Sequence, residues 1–434
     1  MDVKPGYKQT DVGCIPEDWE ATTFVSHGSV IDGDRGANYP GSRDFASDGH
    51  CLFLNAGNVT KVGFRFSECS FISRDKDERL SKGKLNRDDI VLTTRGTVGN
   101  FAHFDSAVPF EHVRINSGMV ILRKDSAALN TKFLYALLQS HLVEKQIERL
   151  TFGSAQPQLT VKVISEFAIV VPPIPEQHAI AEALSDVDVL LDSLDRLITK
   201  KRNLKQATMQ QLLSGQTRLP GFREEWKVKR LEEIGEISGA GVDKKIRPNE
   251  TPVRLLNYMD IYKKDFLKSV DFEHEVSARP DQVRRCAVQR GDVFFTPTSE
   301  VRDDIGHSAV AMEDIHDVVY SYHVVRLRIT ENWDLRFRAY VFKTKHFMDQ
   351  ASTQCEGSGT RYVITLPKFR SMTIKFPTDI KEQTAIATVL SGMDAELAAL
   401  EARRDKTLLL KQGMMQELLT GRIRLIKTGG CEDA

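Results

Sequence analysis

Cysteine is sparse in this 434-residue chain: Cys14, Cys51, Cys69, Cys286, Cys355 and Cys431 form no Cys-x-x-Cys and no Cys/His ligand spacing. That argues against a disulfide framework or a zinc site. No apolar run approaches the ~20 residues that a membrane-spanning helix needs. Met1 to Cys14 also contains no signal-peptide core, so the expectation is a cytoplasmic protein without membrane association. Charge of one sign is absent too: 60 basic and 60 acidic side chains cancel. This excludes a nucleic-acid binder held by bulk charge alone. Catalytic signatures are missing as well. There is no G-x-x-x-x-G-K-[ST] loop, no H-E-x-x-H helix and no acidic cluster with lysine that suggests a nuclease. Val171-Pro-Pro-Ile174 lacks the Asn or Asp and the aromatic residue that flank Pro-Pro in amino-methyltransferases. It reads as a rigid entry to a helix. A non-catalytic chain with no cofactor and no metal of its own is expected.

What the sequence does have is a long word written twice. Glu176 to Leu219 returns as Glu382 to Leu425 at a constant offset of 206 residues, without a gap. Ala179-Ile180-Ala181, Leu184-Ser185, Asp188, Leu204-Lys205-Gln206, Met209-Gln210 and Leu212-Leu213 all recur. Both copies read as long helices. Ile180, Leu184, Leu191 and Leu194 in the first, and Ile386, Leu390, Leu397 and Leu400 in the second, step by three, four and seven like a coiled-coil seam. Pro175 and Glu176 suit a helix start, and Asp379 with Glu382 has capping-box spacing. Gly215 and Gly421 stand where a left-handed residue closes a helix. At about 1.5 Å per residue, some 38 residues span on the order of 57 Å, which makes a spacer. Lys200-Lys201-Arg202 and Arg403-Arg404 interrupt the seam; they read as a solvated face or as patches that meet DNA or a partner.

The repeat continues into the rest of the chain. Arg87 to Arg95 parallels Arg290 to Thr298, and Asn116 to Arg123 parallels Ser321 to Arg328. The segment ending at Trp19 parallels the one ending at Trp226, so what should follow the second helix is found at the N-terminus. The repeat is therefore cyclic and pseudo-twofold, and its two helices must be antiparallel. Short β-branched runs mixed with helical stretches make each globular part α+β. The expected division is 1–175, a first recognition domain; 176–215, a first spacer helix; 216–378, a second recognition domain; 379–421, a second spacer helix; and 422–434, a tail near the N-terminus.

Between the matched strands the loops diverge and are polar. Thr94, Arg95, Thr97 and Asn100 lie in the first, and Thr296, Thr298, Ser299 and Arg302 in the second. Arg114, Asn116 and Ser117 face Ser321, Tyr322 and His323 across the repeat, and Gln156 and Arg361 occupy a further matched pair of segments. Arginine pairs bidentately with guanine, Asn and Gln with adenine, and Thr meets a thymine methyl or a phosphate. Each of these residues is also readable as part of an ordinary solvated turn, the commoner role for such side chains.

Pro16-Glu-Asp-Trp19, Pro172-Pro-Ile-Pro-Glu-Gln-His-Ala-Ile-Ala181, Leu212-Leu-Ser-Gly215 and Arg218-Leu-Pro-Gly-Phe222 together resemble the specificity subunits of type I restriction-modification systems. The resemblance covers nearly the whole chain. It implies two target-recognition domains, each reading one half of a bipartite double-stranded DNA site, separated by two long antiparallel coiled-coil helices. It also implies partners: two modification (methyltransferase) subunits carrying S-adenosylmethionine, and restriction subunits using ATP and Mg. A coiled-coil scaffold that joins two proteins without DNA is the alternative from a different class, and a self-contained methyltransferase or nuclease would need residues that are missing.

Overall fold

The run Ile90–Thr93 is buried at every position, and so is its counterpart Asp292–Phe295. Strands covered on both faces need such continuous burial. In the computed structural model, which describes residues 5–151, 158–239, 241–359 and 361–426, each run is an inner strand of the main sheet of its own unit. Two units emerge: unit 1 comprises Met1–Leu194 with Arg403–Ala434, and unit 2 comprises Asp195–Ala402. Each takes part of both long helices, so this division differs from one between globular parts and helices.

In unit 1 the sheet order is Phe101–His103, Ile90–Thr93, Met119–Lys124, Gly28–Asp32, antiparallel throughout. Unit 2 repeats it with Ser308–Ala311, Asp292–Phe295, Val325–Ile329 and Gly235–Ser238, and adds Phe266–Leu267 at one edge. One buried ion pair recurs across the two inner strands. Arg123 donates to both oxygens of Asp89 at 2.9 and 2.7 Å, and Arg328 does the same to Asp292 at 2.7 and 2.8 Å. The paired oxygens satisfy a carboxylate that burial would otherwise penalise. The α+β class holds in both units.

The long helices span Ile174–Ser214 and Ile380–Leu418. Within unit 1, Ile180, Ala181 and Leu184 share a core with Leu418 and Leu419, and Lys411 pairs with Asp188 at 2.6 Å. Within unit 2, Ile386, Ala387 and Leu390 share a core with Leu212 and Leu213, and Lys205 pairs with Asp394. The start of each helix thus lies against the end of the other, as an antiparallel pair requires. Leu194 and Leu397 are buried, while Leu191 and Leu400 are half-buried. The basic interruption is used for pairing in unit 2: Lys201 meets Glu396 and Arg202 meets Glu401, both at 2.6 Å.

Gly215 and Gly421 close the helices at φ +73° and +69°, in the left-handed region. The expected capping box at Asp379 and Glu382 does not form. Asp379 Oδ1 accepts from the Lys381 N–H at 2.8 Å, but the Glu382 side chain is engaged elsewhere. Glu382 accepts from Arg218 Nε and Nη2 at 2.5 and 2.7 Å and from Trp226 Nε1 at 3.3 Å. The same clamp stands in unit 1, where Glu176 accepts from Trp19 Nε1 at 2.9 Å and from Arg424 Nε and Nη2 at 2.5 and 2.7 Å. Arg424 also donates to Asp18 at 3.0 and 2.8 Å, and Tyr7 Oη donates to the Gly421 carbonyl at 2.9 Å.

Candidate nucleic-acid interface

In both units a glycine brings the chain leaving the first sheet strand against the matched loop. A Cβ on Gly33 would collide with the Asn116 carbonyl, and one on Gly241 with the Ser321 backbone. Only glycine permits such an approach. In unit 2 the approach becomes a bridge: the Val242 N–H donates to the Tyr320 carbonyl at 2.9 Å, and the Tyr322 N–H to the Val242 carbonyl at 3.1 Å.

In unit 1 this arrangement gathers Arg95, Asn116 and Ser117 at one edge. The Asn116 side chain accepts from the Gly118 N–H at 2.8 Å, and Gly118 abuts Arg95. Arg95 and Thr97 are exposed. With its amide oxygen turned toward Arg95, Gln158 accepts from Nη2 and Nε at 2.8 and 3.2 Å. Two further residues outside the sequence expectation join this edge. Arg35 Nη2 donates to the Ser117 carbonyl at 3.2 Å, and the Ser117 N–H donates to Tyr39 Oη at 3.3 Å. The loop that carries them is anchored by Asp34, which accepts from the Gly36 N–H, the Ser81 N–H and hydroxyl, and the Lys82 N–H. These donors, the Gly36 amide foremost, lower its carboxyl from 3.8 to about 2.

In unit 2 the strand Thr298–Ser299 pairs antiparallel with Tyr362 and Val363, beside Arg361. The Arg302 guanidinium lies 5.7 Å from the Tyr362 ring centroid. Tyr322 is half exposed, with its ring 4.0 Å from that of His323. Burial, then Lys244 and Arg361, hold the His323 imidazole below its usual range. Thr298, Ser299, Arg302, Tyr322, His323 and Arg361 therefore share one neighbourhood that also includes Lys244. The basic run Lys244-Lys245 was the available sequence signal for that segment, and Arg35 and Tyr39 had only the preceding glycine.

Five expected contact residues are buried and do structural work instead. Arg114 donates to Asp77 Oδ1 at 2.5 Å and to the carbonyls of Asp77, Leu80 and Lys82. Asn100 Nδ2 donates to the Val59 carbonyl at 3.0 Å, and Thr94 Oγ1 to that of Gly118 at 3.0 Å. Thr296 Oγ1 accepts from the His307 N–H at 3.0 Å, and Ser321 lies fully buried under Gly241. Each satisfies backbone groups that the tight loops would leave unpaired, so a direct DNA contact is withdrawn for these five. Gln156 lies outside the described residues.

Two regions, 16–203 and 223–410, match the family described as "Type I restriction modification DNA specificity domain". These matches take in most of the chain, which belongs to the type I restriction-modification DNA specificity family. It is similar over nearly its whole length to the type I restriction enzyme MjaVIII specificity subunit of Methanocaldococcus jannaschii, at 23% identity over 95% of this chain and 94% of that one. The EcoBI specificity subunit of Escherichia coli is also 23% identical, over 54% of this chain and 48% of the other. Among solved structures, the S subunit from M. genitalium matches with a TM-score of 0.54 at 16% identity, covering 96% and 98% of the two chains. A chain from a study of complex assembly and conformational transition of the type I R-M system matches at 0.58, with 16% identity and 94% and 99% coverage. The chain is thus a DNA-recognition component of such a system rather than its catalytic part. No helix among the described residues is long and apolar enough to cross a membrane.

Proposed function

We propose that the chain reads an asymmetric, bipartite DNA target, one half-site per unit, and scaffolds two modification subunits and the restriction subunits of a type I complex. One observation supports this reading above the rest. The Asp89–Arg123 and Asp292–Arg328 pairs and the glycine approaches repeat, while the side chains on the loops they hold do not. One scaffold with two sets of reading residues calls for two different half-sites, centred about one DNA turn, roughly 34–36 Å, apart. The candidate readers are Arg95, Thr97, Asn116 and Ser117 in unit 1 and Thr298, Ser299, Arg302, Tyr322, His323 and Arg361 in unit 2. S-adenosylmethionine, ATP and Mg belong to the partner subunits in this reading. With zero net charge, the isolated chain binds DNA weakly, and the partners supply much of the phosphate grip.

The test exchanges residues 20–150 for another recognition domain and selects the target of the assembled complex from a randomised DNA library. One half-site changes and the other persists. A change in both, or in neither, would sink the reading, and the absence of any sequence-dependent protection would favour a scaffold that does not touch DNA.

A further inference from the structure

Cys355 and Ile364 are buried in the core of unit 2, and between them the chain leaves that core as a two-stranded ribbon. Glu356–Ser358 pairs antiparallel with Arg361–Val363, and Gly359, at φ +72°, lies in the turn. Glu356, Gly357, Ser358, Gly359 and Arg361 are all exposed. The strand Thr298–Ser299 braces the root of the ribbon by pairing with Val363 and Tyr362, and it stops there. Ser358 and Arg361, the last pair of the ladder, stand beyond the brace.

The ladder also sorts the side chains, because residues directly opposite share a face and successive residues alternate. Arg361, Ser358 and Glu356 share one face, and Tyr362, whose ring carries Arg302, lies on the other. Glu356 is taken by Lys368 at 2.7 Å. Arg361 has no carboxylate partner among the described residues, and the small Ser358 leaves its guanidinium clear. Lys244, which lowers His323 together with Arg361, stands near enough to meet a phosphate beside it.

Dimensions choose the groove. Two strands lie about 4.8 Å apart before their side chains are counted, too wide for a minor groove of about 6 Å but not for a major groove of about 12 Å. A three-residue strand rises about 10 Å, against a major-groove depth of about 8.5 Å. The tip can thus reach base edges while the braced root stays at the rim. Chemistry then chooses the base: a guanidinium only donates, and guanine alone presents two acceptors, N7 and O6, in the major groove.

We infer that this ribbon enters the major groove of the unit 2 half-site and that Arg361 reads a guanine there through N7 and O6. The inference rests on the half-site reading above and gives one of the two half-sites a base and a groove.

The test takes the half-site that persists when residues 20–150 are exchanged and replaces its guanines one at a time by 7-deazaguanine. This analogue loses N7 but keeps its base pairing and its minor-groove edge. Competition binding by the full chain with its modification subunits shows a loss of about tenfold at one position. The Arg361→Ala complex binds the unmodified target about tenfold more weakly and is indifferent to the analogue at that position. A half-site without guanine, a wild-type complex that tolerates every 7-deazaguanine, or a variant as sensitive as wild type overturns the inference. So does a loss seen only with inosine, which lacks the minor-groove amino group of guanine. A wild-type complex that protects no DNA sequence would instead defeat the half-site reading itself.

Discussion

Each unit locks the end of one long helix to the start of the other with a tryptophan, a glutamate and an arginine, yet the two locks are not equally redundant. In unit 1 Arg424 is shared between Glu176 and Asp18, and the Glu176 hydrogen bond, followed by that of Asp18, raises its pKa. In unit 2 Glu225 precedes Trp226 where Asp18 precedes Trp19, but Glu225 is exposed and Arg218 relies on Glu382. The Trp226 bond is also the longer, 3.3 Å against 2.9 Å. Duplication kept the lock and let its reinforcement drift. A shared motif can therefore have different consequences when broken.

That difference sets the largest expected effect. Glu382→Gln strands the half-buried Arg218 guanidinium and costs on the order of 3 kcal/mol, the lower end of the range for breaking a buried pair from one side. Glu176→Gln leaves Arg424 with Asp18 and costs roughly half as much. Urea unfolding followed by tryptophan fluorescence checks the order, and equal losses would show that Asp18 does not share the load.

An intermediate effect separates scaffold from reader. Arg114→Ala leaves the buried Asp77 with Lys84, which pairs with its other oxygen at 2.5 Å, and destabilises unit 1 by about 2–3 kcal/mol, without a base-specific defect. Arg361→Ala, at an exposed position, leaves stability unchanged and costs about 1–3 kcal/mol of discrimination at a single half-site. Thermal unfolding and competition binding on single-substitution targets resolve the two. A normal unfolding curve for the Arg114 variant would return that residue to the candidate readers.

The smallest effect concerns how the loops behind the two close-approach glycines are tied. Unit 2 uses the Asp243–Arg247 pair at 2.5 Å, whereas unit 1 uses Asp34 on backbone amides. Because the folded Asp34 pKa is depressed from 3.8 to about 2, its contribution is complete above the unfolded value and is lost as pH falls through the folded one. Asp34→Asn costs about 2 kcal/mol at neutral pH, the size of that shift, and removes that acid-dependent part. A variant and wild type with the same slope of stability against pH between about 4 and about 2 would contradict this tie.

The helices, their ends and the cyclic order were legible in the sequence because they rest on short-range pattern: apolar spacing, closing glycines and repeated words. The reading edge was legible only as a set of segments. Arg114 looks like a contact in His-Val-Arg-Ile-Asn-Ser, and its burial is decided by Asp77, 37 positions away. Thr94, Asn100, Thr296 and Ser321 were misread for the same reason, since loop polarity does not say whether a side chain serves the backbone or solvent. Arg35 and Tyr39 were missed because no repeated word contains them. Glu176 was read as a favourable charge at a helix start, and its partners at Trp19 and Arg424 could not be seen from local spacing.

The clamp of unit 1 also dictates an order of events during synthesis. Unit 2 is one uninterrupted stretch, Asp195–Ala402, whereas the core of unit 1 includes Leu418 and Leu419 and its clamp needs Arg424. Unit 2 has all its parts on the ribosome first. Unit 1, made earlier, waits with Trp19, Ile180 and Leu184 uncovered until the second helix emerges, a long-range closure that is slow and exposed to aggregation. The half of the protein translated first is the half that finishes folding last.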